Sequence, residues 1–133
     1  MDTTTLSITL YDSAVLLNDP ESSHNFDLVG MTESSFMVVY HDSTVQVEPY
    51  YGYGTLQTRL ASVNTDTGAV TVSDEVTLLG STAIYTLAAT RISDTVAVVA
   101  YSDYSSNYGI RAQLIQLETA DTITTPGTYF YVY

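Results

Sequence analysis

ITLYDSAVLL at residues 8–17 and VTVSDEVTLL at residues 70–79 align on each other without a gap. Thr9 matches Thr71, Asp12 matches Asp74, and Leu16-Leu17 match Leu78-Leu79. Such a repeat decides the architecture before any motif does, because each copy is one supersecondary unit that buries its apolar face on the next. The match continues downstream. Val38-Val39-Tyr40-His41-Asp42 corresponds to Val99-Ala100-Tyr101-Ser102-Asp103, so a Tyr-x-Asp closes the same apolar run in both copies. Tyr53-Gly54 and Tyr108-Gly109 follow, and then runs that end at Leu60 and Leu114. The repeat reads as copy one over residues 8–69, copy two over 70–122, and a partial third over 123–133, where Thr124 matches Thr71.

Within each copy the apolar spacing is two, not 3.6, which predicts strands and no long helix. Over residues 3–10, Leu6, Ile8 and Leu10 share one face with Thr4, while Thr and Ser fill the other, as in a half-buried strand. Runs rich in Val, Ile, Thr and Tyr predict further strands at 36–40, 56–63, 70–79, 96–101, 110–117 and 129–132. Turn signals separate them, among them Asp66-Thr67-Gly68, Gly80-Ser81 and Pro126-Gly127. Each copy thus spans roughly 55–60 residues and about four strands, the size of a propeller blade.

The stretch DEVTLLGS at 74–81 with YTLAATRISDTVAVVAYSDYSSNYGIRAQL at 85–114 resembles the repeat of bacterial β-propeller proteins. In those repeats an S-x-T-x-V-V-V-A-Y-x-D…S-N-Y-G core recurs from blade to blade. The resemblance covers nearly the whole chain as two units and implies a fold, not a chemistry. The first copy departs from the pattern by six extra residues between Asp42 and Tyr53, a stretch that carries Glu48, Pro49, Tyr50 and Tyr51. Propellers close with about four to eight blades, so two units leave open edges and open faces that proteins normally cover. The expected fold class is all-β: one domain over residues 1–133, made of two β-propeller-like four-stranded repeats completed by neighbouring chains.

Composition narrows the partners. Fifteen Asp and Glu against three Arg and no Lys give the 133-residue chain a net charge of -12, which disfavours nucleic acid, whose phosphates need many cationic contacts. Cysteine is absent, so disulfides, thiolate metal sites and a thiol nucleophile are excluded. The longest nearly apolar run, 96–101, is far short of the roughly 20 residues of a membrane helix. The opening Met-Asp-Thr-Thr-Thr carries no signal-peptide pattern. Twelve Tyr, abundant Ser and Thr, and no Lys or Trp suit an extracellular or cell-surface β-protein. No N-x-[ST] sequon occurs, although Ser and Thr offer sites for O-linked glycans.

Four groups of candidate residues follow. Leu6, Ile8 and Leu10, with Tyr129, Phe130, Tyr131, Val132 and Tyr133, lie on terminal strands whose apolar load predicts subunit contact, by strand exchange between copies or by closure within the chain. Tyr50, Tyr51, Tyr53, Tyr104 and Tyr108, with Arg59 and Arg111, combine aromatic planes and guanidinium groups in equivalent loops, which suits a lateral contact or a sugar ligand. Asp12, Asp42, Asp74 and Asp103 recur through the repeat, either as turn caps or as weak candidates for Ca²⁺. His24 and His41 have no partner motif, and no residue set of a hydrolase stands out, so no enzyme and no resident cofactor are expected. The windows VAVVAY (96–101) and TYFYVY (128–133) also have the β-propensity and low charge of cross-β segments. The expected function is a non-catalytic, self-assembling structural subunit of a fibre or ring, whose partners are copies of itself joined head to tail by strand pairing or exchange. The alternative is a small glycan-binding lectin formed when oligomers close a propeller.

Overall fold

A computed structural model describes residues 25–42, 53–103, 109–119, 122–124 and 129–132. These residues form β1 (Phe26–Gly30), β2 (Ser35–Asp42), β3 (Tyr53–Val63), β4 (Val70–Val72), β5 (Val76–Ser93), β6 (Val96–Asp103), β7 (Gly109–Thr119), β8 (Thr122–Thr124) and β9 (Tyr129–Val132), with no helix among them. The architecture is all-β, as the period-two spacing predicts. Hydrogen-bonded neighbours run β1-β2-β3-β5-β6-β7-β8, with β4 also beside β3 and β9 also beside β7, and every pair is antiparallel.

β5 divides this path into two sheets. Its first part, 76–83, pairs with β3, and its last part, 84–93, pairs with β6. The two halves then run through matching pairings. β4 lies on the end of β3 as β8 lies on the end of β7, while the first part of β5 lies on the beginning of β3 as β9 lies on the beginning of β7. In one half Val63 N–H donates to Ser34 O at 2.7 Å, and in the other Leu117 N–H donates to Thr95 O at 2.8 Å, tying each hairpin turn to the third strand.

Two sequence expectations are corrected here. Residues 70–79 are not one strand: the ladder breaks between β4 and β5 at Ser73, whose side-chain Oγ accepts from Leu60 N–H at 3.0 Å while its own N–H donates to Leu60 O at 2.8 Å. A polar side chain thereby replaces a ladder carbonyl and lets Asp74 and Glu75 leave the sheet. Gly80-Ser81 is not a turn either, because both residues sit inside β5. A glycine inside a strand marks a bend as readily as an end, and register shifts against β3 and β6 on either side show the strand bending from one sheet into the other. Asp66-Thr67-Gly68 does form the β3–β4 turn. Asn64 Oδ1 accepts from Asp66 N–H and Thr67 N–H, both at 3.0 Å, and Gly68 adopts φ 74°, open to glycine without steric cost.

One buried cluster joins the halves. Val29, Met31, Met37, Val39, Leu56, Leu60 and Leu78 come from the first, and Ile84, Ala97, Val99, Tyr101, Ile115, Leu117 and Ile123 from the second. Polar ties cross the same seam. Asn25 Nδ2 donates to Ile84 O at 3.0 Å, Ala89 N–H to Asp27 Oδ2 at 2.7 Å, and Arg91 Nη1 to Met31 O at 2.8 Å. These bonds dock β1 on the last part of β5, so the seam satisfies backbone groups as well as apolar area.

Candidate interaction surface

Which face each half turns inward follows from strand register. β6 alternates strictly, with Ala97, Val99, Tyr101 and Asp103 buried and Val96, Val98, Ala100 and Ser102 half-buried on the opposite face. In β2 the core-facing side chains are Met37 and Val39, paired with Leu60 and Thr58, while Val38 and Tyr40 point to the other side. Because Val38 matches Val99 and Tyr40 matches Tyr101, the two halves bury opposite faces of corresponding strands. The packing is therefore face to opposite face, a head-to-tail contact inside one chain.

The outer face of the second half consequently corresponds to a face that the first half buries. It carries Val98, Ala100, Ala112 and Leu114, all half-buried, with Ile110 at 49% exposure and Ala88 exposed on the flanking strand. A shallow depression of about 200 Å³ lies on it, edged by Thr86, Ala88, Ala100, Ser102 and Ile110. On the outer side of the first half Val38 and Tyr40 are buried, and the open apolar groups are Phe26 and Leu28 of the edge strand β1, at 59% and 52% exposure. Contiguous apolar surface of this kind marks an interaction site more often than isolated exposed residues do.

Two charged clusters flank these surfaces. On the outer side of the first half the Tyr40 hydroxyl donates to Glu75 Oε2, and Arg59 Nη2 reaches the same oxygen at 3.2 Å. Burial, then the hydrogen bond to Glu75 and its negative charge, push the Tyr40 phenol well above its ordinary value. On the inner side of the second half Arg111 Nη2 lies 3.1 Å from Asp103 Oδ2, with side-chain exposures of 19% and 1%. This pair is held by charge in a site from which water is nearly excluded.

Arg59 and Arg111 are thus not brought together: one lies on an outer face against Glu75, the other on an inner face against Asp103. By register Arg59 stands opposite Val38 and Arg111 opposite Tyr101, so Gln57, opposite Tyr40, is the true counterpart of Arg111. Tyr50, Tyr51, Tyr104 and Tyr108 lie outside the described residues, as do Leu6, Ile8, Leu10, Asp12, His24 and Tyr133; Tyr53 opens β3 opposite Ala83. The backbone of Tyr129, Phe130, Tyr131 and Val132 forms β9, which pairs with Gln113, Ala112, Arg111 and Ile110 of its own chain. Asp42 ends β2, Asp74 is exposed between β4 and β5, and Asp103 is fully buried; among the described residues no group of three or more His, Cys, Asp or Glu is placed to hold a metal ion. No helix of the described residues is long and apolar enough to cross a membrane.

Sequence reasoning missed the Val98–Ala100–Ala112–Leu114 face. Its signal was present in the repeat, since Val98 and Ala100 match Met37 and Val39, but only the register shows that the matched face is left outside. No known protein family, curated relative or solved structure matches the chain, so function has to be read from this geometry.

Proposed function

We propose that the chain is a non-catalytic structural module that stacks head to tail with copies of itself into an extracellular fibre or ring. One observation carries the reading: the outer face of the second half is the counterpart of the Met37–Val39 face, which within the chain is covered by the opposite face of a neighbouring half. The cover we propose for Val98, Ala100, Ala112 and Leu114 is the outer side of another copy's first half, where Val38 and Tyr40 are already buried and the exposed Phe26 and Leu28 of β1 supply the apolar contact. A contact between different faces is heterologous, and it closes into a ring if the rotation per copy fits and grows into a filament otherwise. A closed stack of such halves is a propeller. Exchange of β9 between copies would reuse the same β7 pairings and lock the stack. The Tyr-, Ser- and Thr-rich, Lys-free composition supports a place outside the cell.

The test is sedimentation velocity with negative-stain microscopy, on the natural chain and on a Val98→Lys/Leu114→Lys variant. Assemblies from the natural chain, and a folded, dispersed variant, are expected. A natural chain that stays monomeric at every concentration, or a variant that assembles as the natural chain does, would sink the reading.

A further inference from the structure

The inner faces of the two sheets change character toward their hairpin turns. Along β2 the core-facing side runs Val39, Met37, Ser35; along β3 it runs Thr58, Leu60, Ser62; along β6 it runs Val99, Ala97 and then Thr95 in the preceding turn. Ser35 and Ser62 pair directly across the β2–β3 ladder. Here the sheets part around a cavity of about 410 Å³, within the roughly 300–1,000 Å³ usual for small-molecule pockets. Leu60 and Leu117 form its buried floor, and Thr32, Ser34, Ser35, Ser62 and Thr95 supply hydroxyl-bearing walls. Asp94 and Glu118, both exposed, stand at the rim.

These hydroxyls break the repeat. In the second half the pair that corresponds to Ser35 and Ser62 is Val96 opposite Gln116, which line no such wedge. That pair stands on the outer face of its half, so two hydroxyls meet across an inner ladder only in the first half.

The chemistry of the walls selects the ligand. An anion finds no Arg among the lining residues, and nearby Arg91 already spends Nη1 on Met31 O at 2.8 Å and on Asp94 Oδ1 at 3.3 Å. A hard cation such as Ca²⁺ asks for about six to eight oxygen ligands rich in carboxylate, whereas Arg91 holds Asp94 and Glu118 is the other carboxylate of the lining. Thr32 Oγ1 and Ser35 Oγ bond each other at 2.7 Å, and a purely apolar ligand would strip water from the remaining wall hydroxyls and repay none of it. A ring carrying several hydroxyls matches every wall: its O–H groups donate to Glu118 and Asp94, exchange bonds with Ser35, Ser62 and Thr95, and its C–H face rests on Leu60 and Leu117. The geometry points to a binding site for one neutral sugar residue of a glycan in the wedge between the sheets.

The test is a heteronuclear NMR titration of the ¹⁵N-labelled full chain with galactose, mannose, N-acetylglucosamine and, as an acyclic polyol, glycerol. Saturable shifts at the amides of Ser35, Ser62, Thr95 and Glu118, with a Kd on the order of 1 mM for at least one sugar and far weaker for glycerol, are expected. Glu118→Gln, at an exposed position that leaves the core intact, should weaken that sugar about tenfold, the loss expected when a charged acceptor becomes neutral. Ser62→Val should abolish the response. Shifts that never saturate, an equal response to glycerol, or an unchanged Glu118→Gln titration would show a wedge that holds only water, and would overturn the assignment.

Discussion

Tyr40 illustrates how much one side chain settles at the residue scale. Its hydroxyl hydrogen is donated to Glu75, so the fold needs the neutral phenol, and burial together with the Glu75 charge raises its pKa above the ordinary value near 10. An acid whose folded pKa is raised stabilises the native state fully below its unfolded pKa, and that contribution is lost as pH climbs toward the folded value. The unfolded chain sheds the proton first. Stability in urea should therefore be level from pH 8 to 10 and fall above pH 10; Tyr40→Phe should cost about 2 kcal/mol at pH 8 and flatten that fall. An alkaline limb as steep in Tyr40→Phe as in the natural chain would refute the link. Asp103 and Arg111 make a second residue-scale case. Removing one partner of a nearly dry ion pair strands the other, so Asp103→Leu alone should cost about 3–5 kcal/mol, and Asp103→Leu/Arg111→Met should recover most of it. A double variant no more stable than the single would show that other contacts of these residues dominate.

At the scale of elements, β5 is the joint of the molecule, and its docking on β1 depends on few bonds. Asp27 Oδ2 accepts from Ala89 N–H at 2.7 Å, while Asp27 Oδ1 accepts from Leu28 N–H at 2.9 Å. Asp27→Ala leaves the Ala89 amide at the seam without its acceptor, at a cost of about 1–3 kcal/mol. Amide exchange at Ala89 should accelerate much more than at Val99, deep in β6; a uniform change would mean that the seam opens only with the whole fold. How far these elements are legible in sequence depends on their patterning. β2, β6 and β7 advertise themselves through closely set apolar residues, Met37 to Tyr40, Val96 to Tyr101, and Leu114, Ile115 and Leu117. β1 does not, because Phe26, Leu28 and Val29 place apolar groups on both faces around a buried-facing Asp27. The long β5 hides behind Gly80-Ser81, since the signal for a bend inside a strand is the same as for a turn between two. The wedge is equally hidden: Ser35 and Ser62 look like surface serines until the β2–β3 register sets them opposite each other on the inner side.

For the whole molecule, period-two spacing makes an all-β chain readable, but not that its two sheets divide inside β5 between Ala83 and Ile84, nor which face each sheet buries, and we propose that the latter governs association. Two influences then compete between copies. Each chain carries a net charge of -12, so like-charged copies repel over distances that depend on ionic strength. The proposed contact, by contrast, is made of Val98, Ala100, Ala112 and Leu114, whose attraction is hydrophobic and carries no charge to screen. The Debye length shrinks from about 30 Å at 0.01 M salt to about 8 Å at 0.15 M. Association measured by sedimentation should accordingly strengthen across that range and then change little, because repulsion is already screened while the apolar contact persists. Sodium chloride and magnesium chloride should coincide once matched for ionic strength. Association that weakens as salt is added would mean that ion pairs hold the copies together, and the contact would then have to be sought around Arg59 and Glu75 rather than on the apolar face. A response to magnesium beyond its ionic strength would instead put carboxylates at the junction, and Asp42 and Asp74 would be the first to replace.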